Sequence, residues 1–221
     1  MVKNKVVSIE KALENIQDGA TIIIGGFLTV GGPNKLVDAL LAKGTKNMTL
    51  IANDTGFIDK GLGKLIAEKR VSTIYASHIG TNRETGRQMI EGETDVHLVP
   101  QGTLIEQIRA AGFGLGGILT PTGLGTAVQE GKQVIAVDGK DFLLEKPLKA
   151  DVALVFANKA DKAGNLQFHG STQNFNLLAA TAADYVLAEV DQVVEIGELD
   201  PDAICVPSLF VDHVVDGGSI A

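Results

Sequence analysis

Thr21-Ile22-Ile23-Ile24-Gly25-Gly26-Phe27-Leu28-Thr29-Val30-Gly31-Gly32-Pro33 decides how this chain folds. Thr21 to Ile24 are β-favouring and apolar, which predicts a short buried strand. Gly25 and Gly26 end it. Leu36, Val37, Leu40 and Leu41 follow with helical spacing, and Gly44 stops the run. Pro33 suits the first helical position, because its ring pre-sets φ and no intrahelical bond is lost there. The stretch therefore reads strand, glycine turn, helix. In an open α/β sheet such a turn lies at the carboxyl end of a strand, where ligands bind. Without a Cβ, Gly25 and Gly26 let a ligand approach the backbone. Amides freed there, with a helix N-terminus behind them, offer donors to an anion or a developing oxyanion. The same glycines also serve ordinary tight turns and close helix–strand packing.

The same unit recurs along the chain. Ser8 caps a first helix with Ala12, Leu13 and Ile16 on its apolar face, and Asp18-Gly19 turns into the first strand. Met48 to Ala52 is a second strand, Asn53-Asp54-Thr55-Gly56 a loop, and Leu62, Leu65 and Ile66 mark a short helix. Val71 to Ala76 is a third strand ending at Ser77-His78, and Asn82 or Thr81 caps a helix through Ile90. Val96 to Val99 is a fourth strand. After Pro100-Gln101-Gly102, Thr103 and Glu106 have capping-box spacing for the next helix. This repetition predicts an α/β fold, an open, mostly parallel, doubly wound sheet.

Six glycines between Ala111 and Thr126 call for a packing or ligand reason, since glycine is costly in chain entropy. Val134 to Val137, Asp138-Gly139 and Phe142 to Leu144 read as a β-hairpin with a type I′ turn, placing antiparallel strands at one edge of the sheet. Val152 to Phe156 and Tyr185 to Val190 are further buried strands, with a helix over Asn174 to Ala183 between them that Ser171 or Thr172 would cap. The tail carries short strands at Ile204 to Val206 and Val211 to Val215, then a frayed Gly217-Gly218. No linker divides the 221 residues, so residues 1–221 are expected to form a single domain.

Composition narrows the function. Apolar residues make up 45% and charged residues 21%, a soluble balance, and the net charge of −8 lacks the basic surface that nucleic acid requires. No apolar run is long enough for a membrane span or a signal segment, so a cytoplasmic location is expected. The single cysteine, Cys205, excludes an internal disulfide, and its apolar neighbours predict a buried, inert thiol. The four histidines, His78, His97, His169 and His213, show no metal-ligand spacing, so no metal is expected. Glu10, Glu14, Glu68 and Glu91 sit among helical charges and read as solvated faces. Asn53 and Asp54 are weaker candidates for an acyl pocket, because such residues also start turns without a ligand.

The motifs resemble those of a known family. Asp18-Gly19, Ile22-Ile23-Ile24, Gly25-Gly26-Phe27, Gly31 and Pro33 are similar to the signature of class I CoA-transferases, specifically the α subunit. The likeness continues through Ile51-Ala52-Asn53-Asp54, Ser77-His78-Ile79-Gly80, Val99-Pro100-Gln101-Gly102-Thr103-Leu104, Thr120-Pro121-Thr122-Gly123 and Asn174-Phe175-Asn176. Within the family it is nearest to the α subunits of acetate/butyrate–acetoacetate CoA-transferases. The resemblance implies a ping-pong reaction in which a glutamate attacks an acyl-CoA and passes through an anhydride to a glutamyl–CoA thioester. Each step passes through an oxyanion that needs preplaced donors. It implies that the glutamate belongs to a β subunit, in a Glu-Asn-Gly or similar tract that this chain lacks. This chain is then half an active site, inactive or nearly so alone, in an α2β2 or larger assembly. By the resemblance, Gly25, Gly26, Phe27, Leu28, Thr29, Val30 and Gly31 form the CoA-binding turn, and Gln101 lies near the reacting carbonyl. Coenzyme A is a substrate, with no permanently bound cofactor, and the acyl donors and acceptors are short-chain carboxylates.

Other classes stay open on the residues alone. A dinucleotide oxidoreductase fits poorly, because Gly25 and Gly26 are adjacent and no acidic residue ends the second strand in the expected manner. A sugar-phosphate isomerase would need a base and a phosphate loop within this chain. A non-catalytic ligand-binding or regulatory module would use the glycine turns equally well.

Overall fold

A computed structural model describes residues 3–218. In chain order the elements open with α1 (Ile9–Leu13), β1 (Thr21–Ile24), α2 (Asn34–Lys43), β2 (Met48–Asp54), α3 (Gly63–Ala67) and β3 (Val71–His78). Next come α4 (Arg83–Ile90), β4 (Asp95–Leu98), α5 (Gln101–Gly112), β5 (Ile118–Thr120), β6 (Val134–Val137) and β7 (Lys140–Glu145). The last are β8 (Ala150–Asp161), β9 (Leu166–Gln167), α6 (Asn176–Ala179), β10 (Ala183–Val194) and β11 (His213–Asp216).

The main sheet has the strand order β11-β10-β8-β1-β2-β3-β4, with β9 antiparallel on β8. All neighbours on that path run parallel. Both faces are covered, as parallel sheets require. The alternation within β1 divides the core into two layers. Ile22 and Ile24 join Leu13 of α1, Leu36, Val37 and Leu40 of α2, and Leu65 and Ile66 of α3. Ile23 points the other way, with Leu104 and Ile108 of α5 and Ala179 of α6. Each of these isoleucines is at most 1% exposed, so each contributes about 1.5–3 kcal/mol of apolar burial.

The winding reverses between β1 and β8. From β1 the chain proceeds outward through β2, β3 and β4, and from β8 outward the other way through β10 and β11. A crevice opens at the carboxyl ends of strands at such a reversal. The glycine turn after β1 sits on it.

Several predicted elements differ from those observed. The Val134–Val137 hairpin exists, and Asp138 (φ 50°) and Gly139 (φ 75°) give its type I′ turn. It does not border the main sheet: β7 also pairs with β5, making a separate three-stranded antiparallel sheet, β5-β7-β6. The pairing of β5 explains part of the glycine-rich stretch, whose Gly114, Gly117, Gly123 and Gly125 bend the chain into and out of that strand with positive φ. Only Asn176–Ala179 of the predicted Asn174–Ala183 helix is helical, because Asn174 bonds to the glycine turn and Ala183 already belongs to β10. Ser171 and Thr172 lie inside a preceding 3₁₀ turn that His169 caps.

Ile204 to Val206 forms no strand; Val206 makes one bridge to Leu166. β8 and β10 run to 12 residues each, longer than their apolar segments, because each continues the other's ladder from Ala150↔Ala183 to Asp161↔Val194. Pro33 is the residue before α2 instead of its first. Gly217 is buried and held by Val190 through a 2.7 Å backbone bond, so it is not frayed. Cys205 is half-buried, its Sγ 3.6 Å from the Ala203 carbonyl, rather than a core thiol. Among the described residues no helix is long and apolar enough to cross a membrane.

Candidate functional site

The carboxyl ends of β1, β2 and β3 border a cavity of about 820 Å³. Phe27, Leu28 and Val30 from the glycine turn, Ile105 of α5 and Phe175 give it an apolar lining. Asn53, Asp54, Ser77, His78, Gln101 and Asn174 add polar groups. A largely apolar cavity with a few convergent polar groups is the usual form of a small-molecule site. The structure thus places Gln101 and the turn, associated only by resemblance in the sequence, in the lining of one cavity.

The turn is a two-residue hairpin in miniature. Phe27 N–H donates to the Val30 carbonyl and Val30 N–H to the Phe27 carbonyl, both at 2.9 Å. Gly25 N–H donates to the Leu154 carbonyl at 3.0 Å, Gly26 N–H to Asn174 Oδ1 at 3.1 Å, and Leu28 N–H to Asp54 Oδ2 at 2.9 Å. The amides of Gly25 and Gly26 are therefore committed within the chain. Thr29 and Gly31 keep N–H groups with no acceptor among the described residues. The N-terminus of α2 is occupied too: Leu36 N–H donates to Glu189 Oε2 at 2.9 Å. Glu189 is 5% exposed, and burial raises its carboxyl pKa from 4.5 to about 7 against the pull of the Leu36 and Lys35 amides.

Asn174 and Asn176 clasp the turn from the β8 side. Asn174 Nδ2 donates to the Val30 carbonyl at 3.2 Å. Asn176 Nδ2 donates to the Gly31 carbonyl at 2.8 Å, and its Oδ1 accepts from Phe156 N–H at 3.0 Å. This contact is why Gly25 is glycine: a Cβ there would lie 1.9 Å from Asn176 Oδ1. Gly26 (φ 116°) and Gly31 (φ 66°) have positive φ.

Gln101 opens α5, and Pro100 before it makes no side-chain cap. The predicted capping box at Thr103 and Glu106 is absent, because the helix starts three residues earlier than that cap would set it. Thr103 is buried within it and Glu106 pairs with Arg109 at 2.7 Å. Gln101 Oε1 accepts from the Ser77 hydroxyl, which also contacts the Asn53 carbonyl at 2.7 Å. The Gln101 amide nitrogen has no partner among the described residues and is open to a ligand in the cavity.

Among the described residues the one carboxylate in the lining is Asp54. It is 2% exposed and accepts from Leu28 N–H, Asn53 Nδ2 and Gly56 N–H, at 2.9, 2.9 and 2.7 Å. Its oxygens are occupied. Glu10, Glu14, Glu68 and Glu91 are exposed, as predicted. Among the described residues no cluster of His, Cys, Asp or Glu could hold a metal. His97 stacks on Tyr75 with ring centroids 4.5 Å apart, and His213 meets Tyr185 edge-on at 5.8 Å. The His78 ring lines the cavity with no hydrogen-bond partner among the described residues. Sequence reasoning missed the clasping role of Asn174 and Asn176 and the hydroxyl of Ser77. Asn174-Phe175-Asn176 was visible as a motif, but a bond spanning about 145 residues leaves no local signal.

Comparison with known proteins places this geometry. The family model described as Coenzyme A transferase matches residues 6–217. The chain is 56% identical over 214 residues to "Acetate CoA-transferase subunit alpha" of Escherichia coli (strain K12), covering 97% of each. It is 44% identical to the "Acetoacetyl-CoA:acetate/butyrate CoA transferase alpha subunit" of Clostridium acetobutylicum, covering 97% of this chain and 98% of that one. The acyl-CoA transferase YdiF of E. coli O157:H7, at 24% identity, shares the fold with a TM-score of 0.87 over 97% of this chain and 47% of its own. With the family matched over nearly all of its length, this chain belongs to the coenzyme A transferases, as an α subunit of that two-subunit family.

Proposed function

We propose that this α subunit forms one wall of a shared active site that moves CoA between a short-chain acyl-CoA and a carboxylate such as acetate, butyrate or acetoacetate. A β subunit supplies the nucleophilic glutamate, in an α2β2 or larger assembly. The observation that carries the reading is the Gln101 wall. Among the described residues it combines an amide nitrogen without a partner, an apolar cavity of about 820 Å³, and no lining carboxylate free to attack. The glutamate must then come from outside the described chain.

In this reading the Gly25–Gly31 turn contacts CoA through Phe27, Leu28, Val30 and the free N–H groups of Thr29 and Gly31. Gln101 Nε2 donates to the oxyanion formed when a carboxylate adds to the thioester carbonyl. That adduct expels CoA thiolate and leaves an acyl–glutamyl anhydride. The thiolate then attacks the glutamyl carbonyl, releasing the first carboxylate and leaving glutamyl–CoA, and the incoming carboxylate reverses the sequence. Among the described residues no lysine or arginine lines the cavity, so this wall offers a monocarboxylate apolar contact and no counter-ion for a second charge. CoA is a substrate here, and no resident cofactor enters the steps.

The test is intact-mass analysis of the co-expressed complex after incubation with butyryl-CoA alone. The expected result is a CoA adduct on the partner chain and none on this one. An adduct on this chain would contradict the assignment. In steady state, acetate and butyrate should give parallel double-reciprocal lines and far higher kcat/KM than succinate; equal use of succinate would remove the monocarboxylate preference.

A further inference from the structure

The two successive strand–helix crossings after β1 and β2 end in the same turn. Gly26-Phe27-Leu28-Thr29-Val30-Gly31 and Gly56-Phe57-Ile58-Asp59-Lys60-Gly61 each close on an antiparallel bridge, Phe27↔Val30 and Phe57↔Lys60. Each has positive-φ glycines at both ends. Their backbones part at the residue after the phenylalanine. Leu28 lies in the left-handed region (φ 52°), while Ile58 does not. A two-residue hairpin with positive φ at its first central position ordinarily has glycine there. A leucine in that conformation is strained, so something outside the turn must hold it.

Asp54 stands where that restraint is needed. Its Oδ2 takes the Leu28 N–H at 2.9 Å, and its Oδ1 takes the Gly56 N–H at 2.7 Å. One buried carboxylate therefore ties the first turn to the start of the second. Among the described residues no cation pairs with it, and the partners of its oxygens are N–H donors. An occupied, buried carboxylate is poorly placed to act as a base or nucleophile and well placed to act as a strut.

We propose that Asp54 is a positioning residue that holds Leu28 in its left-handed conformation, so that Leu28 and the Thr29 N–H are preset for acyl-CoA. The proposal rests on the reading that this turn contacts CoA. Leu28→Gly removes the strain that Asp54 opposes, and the two substitutions should therefore be coupled.

The experiment compares wild type, Asp54→Asn, Leu28→Gly and the double variant, each co-expressed with the partner. Asp54→Asn is isosteric but must turn an N–H₂ towards one of its former donors. It is expected to raise KM for acyl-CoA about tenfold, the scale of a lost charge-assisted hydrogen bond, and to change kcat less than about threefold. In the Leu28→Gly background the same change should raise KM by less than about threefold. Equal effects in both backgrounds, or a loss confined to kcat, would overturn the proposal. Hydrogen exchange gives a second reading without substrate: peptides spanning residues 26–31 should exchange faster in Asp54→Asn, while peptides within β1 do not. Unchanged exchange in the turn refutes the strut. Faster exchange with an unchanged KM instead refutes the contact between the turn and CoA, so the two failures are distinguishable. Asp54→Ser, which keeps one acceptor, allows the same comparison if Asp54→Asn does not assemble.

Discussion

Gln101 is held on one side by the Ser77 hydroxyl and open on the other, which is what a donor to a transient charge requires. Gln101→Ala should lower kcat by about 10²-fold, the usual scale for removing one such donor, with KM within about threefold. Initial-rate kinetics on the assembled enzyme would check this, and an unchanged kcat would leave Gln101 as a loop residue. Glu189 makes a different prediction. Folding raises its pKa from 4.5 to about 7 by burial. The group carries no penalty below about pH 4.5. The penalty grows as the pH climbs towards about 7 and is constant beyond, reaching roughly 3 kcal/mol. Thermal melts should therefore show the Tm of Glu189→Gln rising relative to wild type between about pH 5 and about pH 8. A pH-independent difference would contradict this. The sequence marked Gln101 through its Pro-Gln-Gly-Thr context, but it could not show Ser77 or Glu189. Their partners lie 24 and 153 residues away, and only folding brings them together.

At the scale of elements, the chain's local signals were sufficient wherever a strand or helix is set by its own residues. Ser8 caps α1 through Lys11 N–H at 3.3 Å, Asn82 caps α4 through Glu84 N–H, and Asp138-Gly139 closes its hairpin. They failed where tertiary bonds decide. Asn174 and Asn176 spend their amides on the glycine turn, so the helix expected there shrinks to four residues. The hairpin's neighbour, β5, lies in a glycine-rich stretch with no strand pattern to read. Gly25→Ala tests the clasp. Its Cβ would meet Asn176 Oδ1 at 1.9 Å, so Asn176 must move and release the Gly31 and Phe156 bonds. A loss of about 2–4 kcal/mol by urea denaturation is expected, from two broken buried hydrogen bonds. A variant as stable as wild type would show that the clasp contributes nothing.

At the scale of the molecule, the parallel sheet reverses its winding between β1 and β8, and the site lies beside that reversal. The doubly wound class was readable from the repetition of strand, glycine turn and helix, since each unit carries its own periodicity. The missing Glu-Asn-Gly tract was readable in the sequence; that Asp54, the carboxylate lining the cavity among the described residues, has its oxygens taken by three hydrogen bonds was not. The central claim is that this chain is one half of a shared active site. The most direct test is a CoA-transfer assay, acetoacetate with acetyl- or butyryl-CoA, on the purified chain alone and on the chain co-expressed with its partner. Transfer is expected in the mixture and none above background in the chain alone. Transfer by the chain alone, at a rate comparable to the mixture, would contradict it.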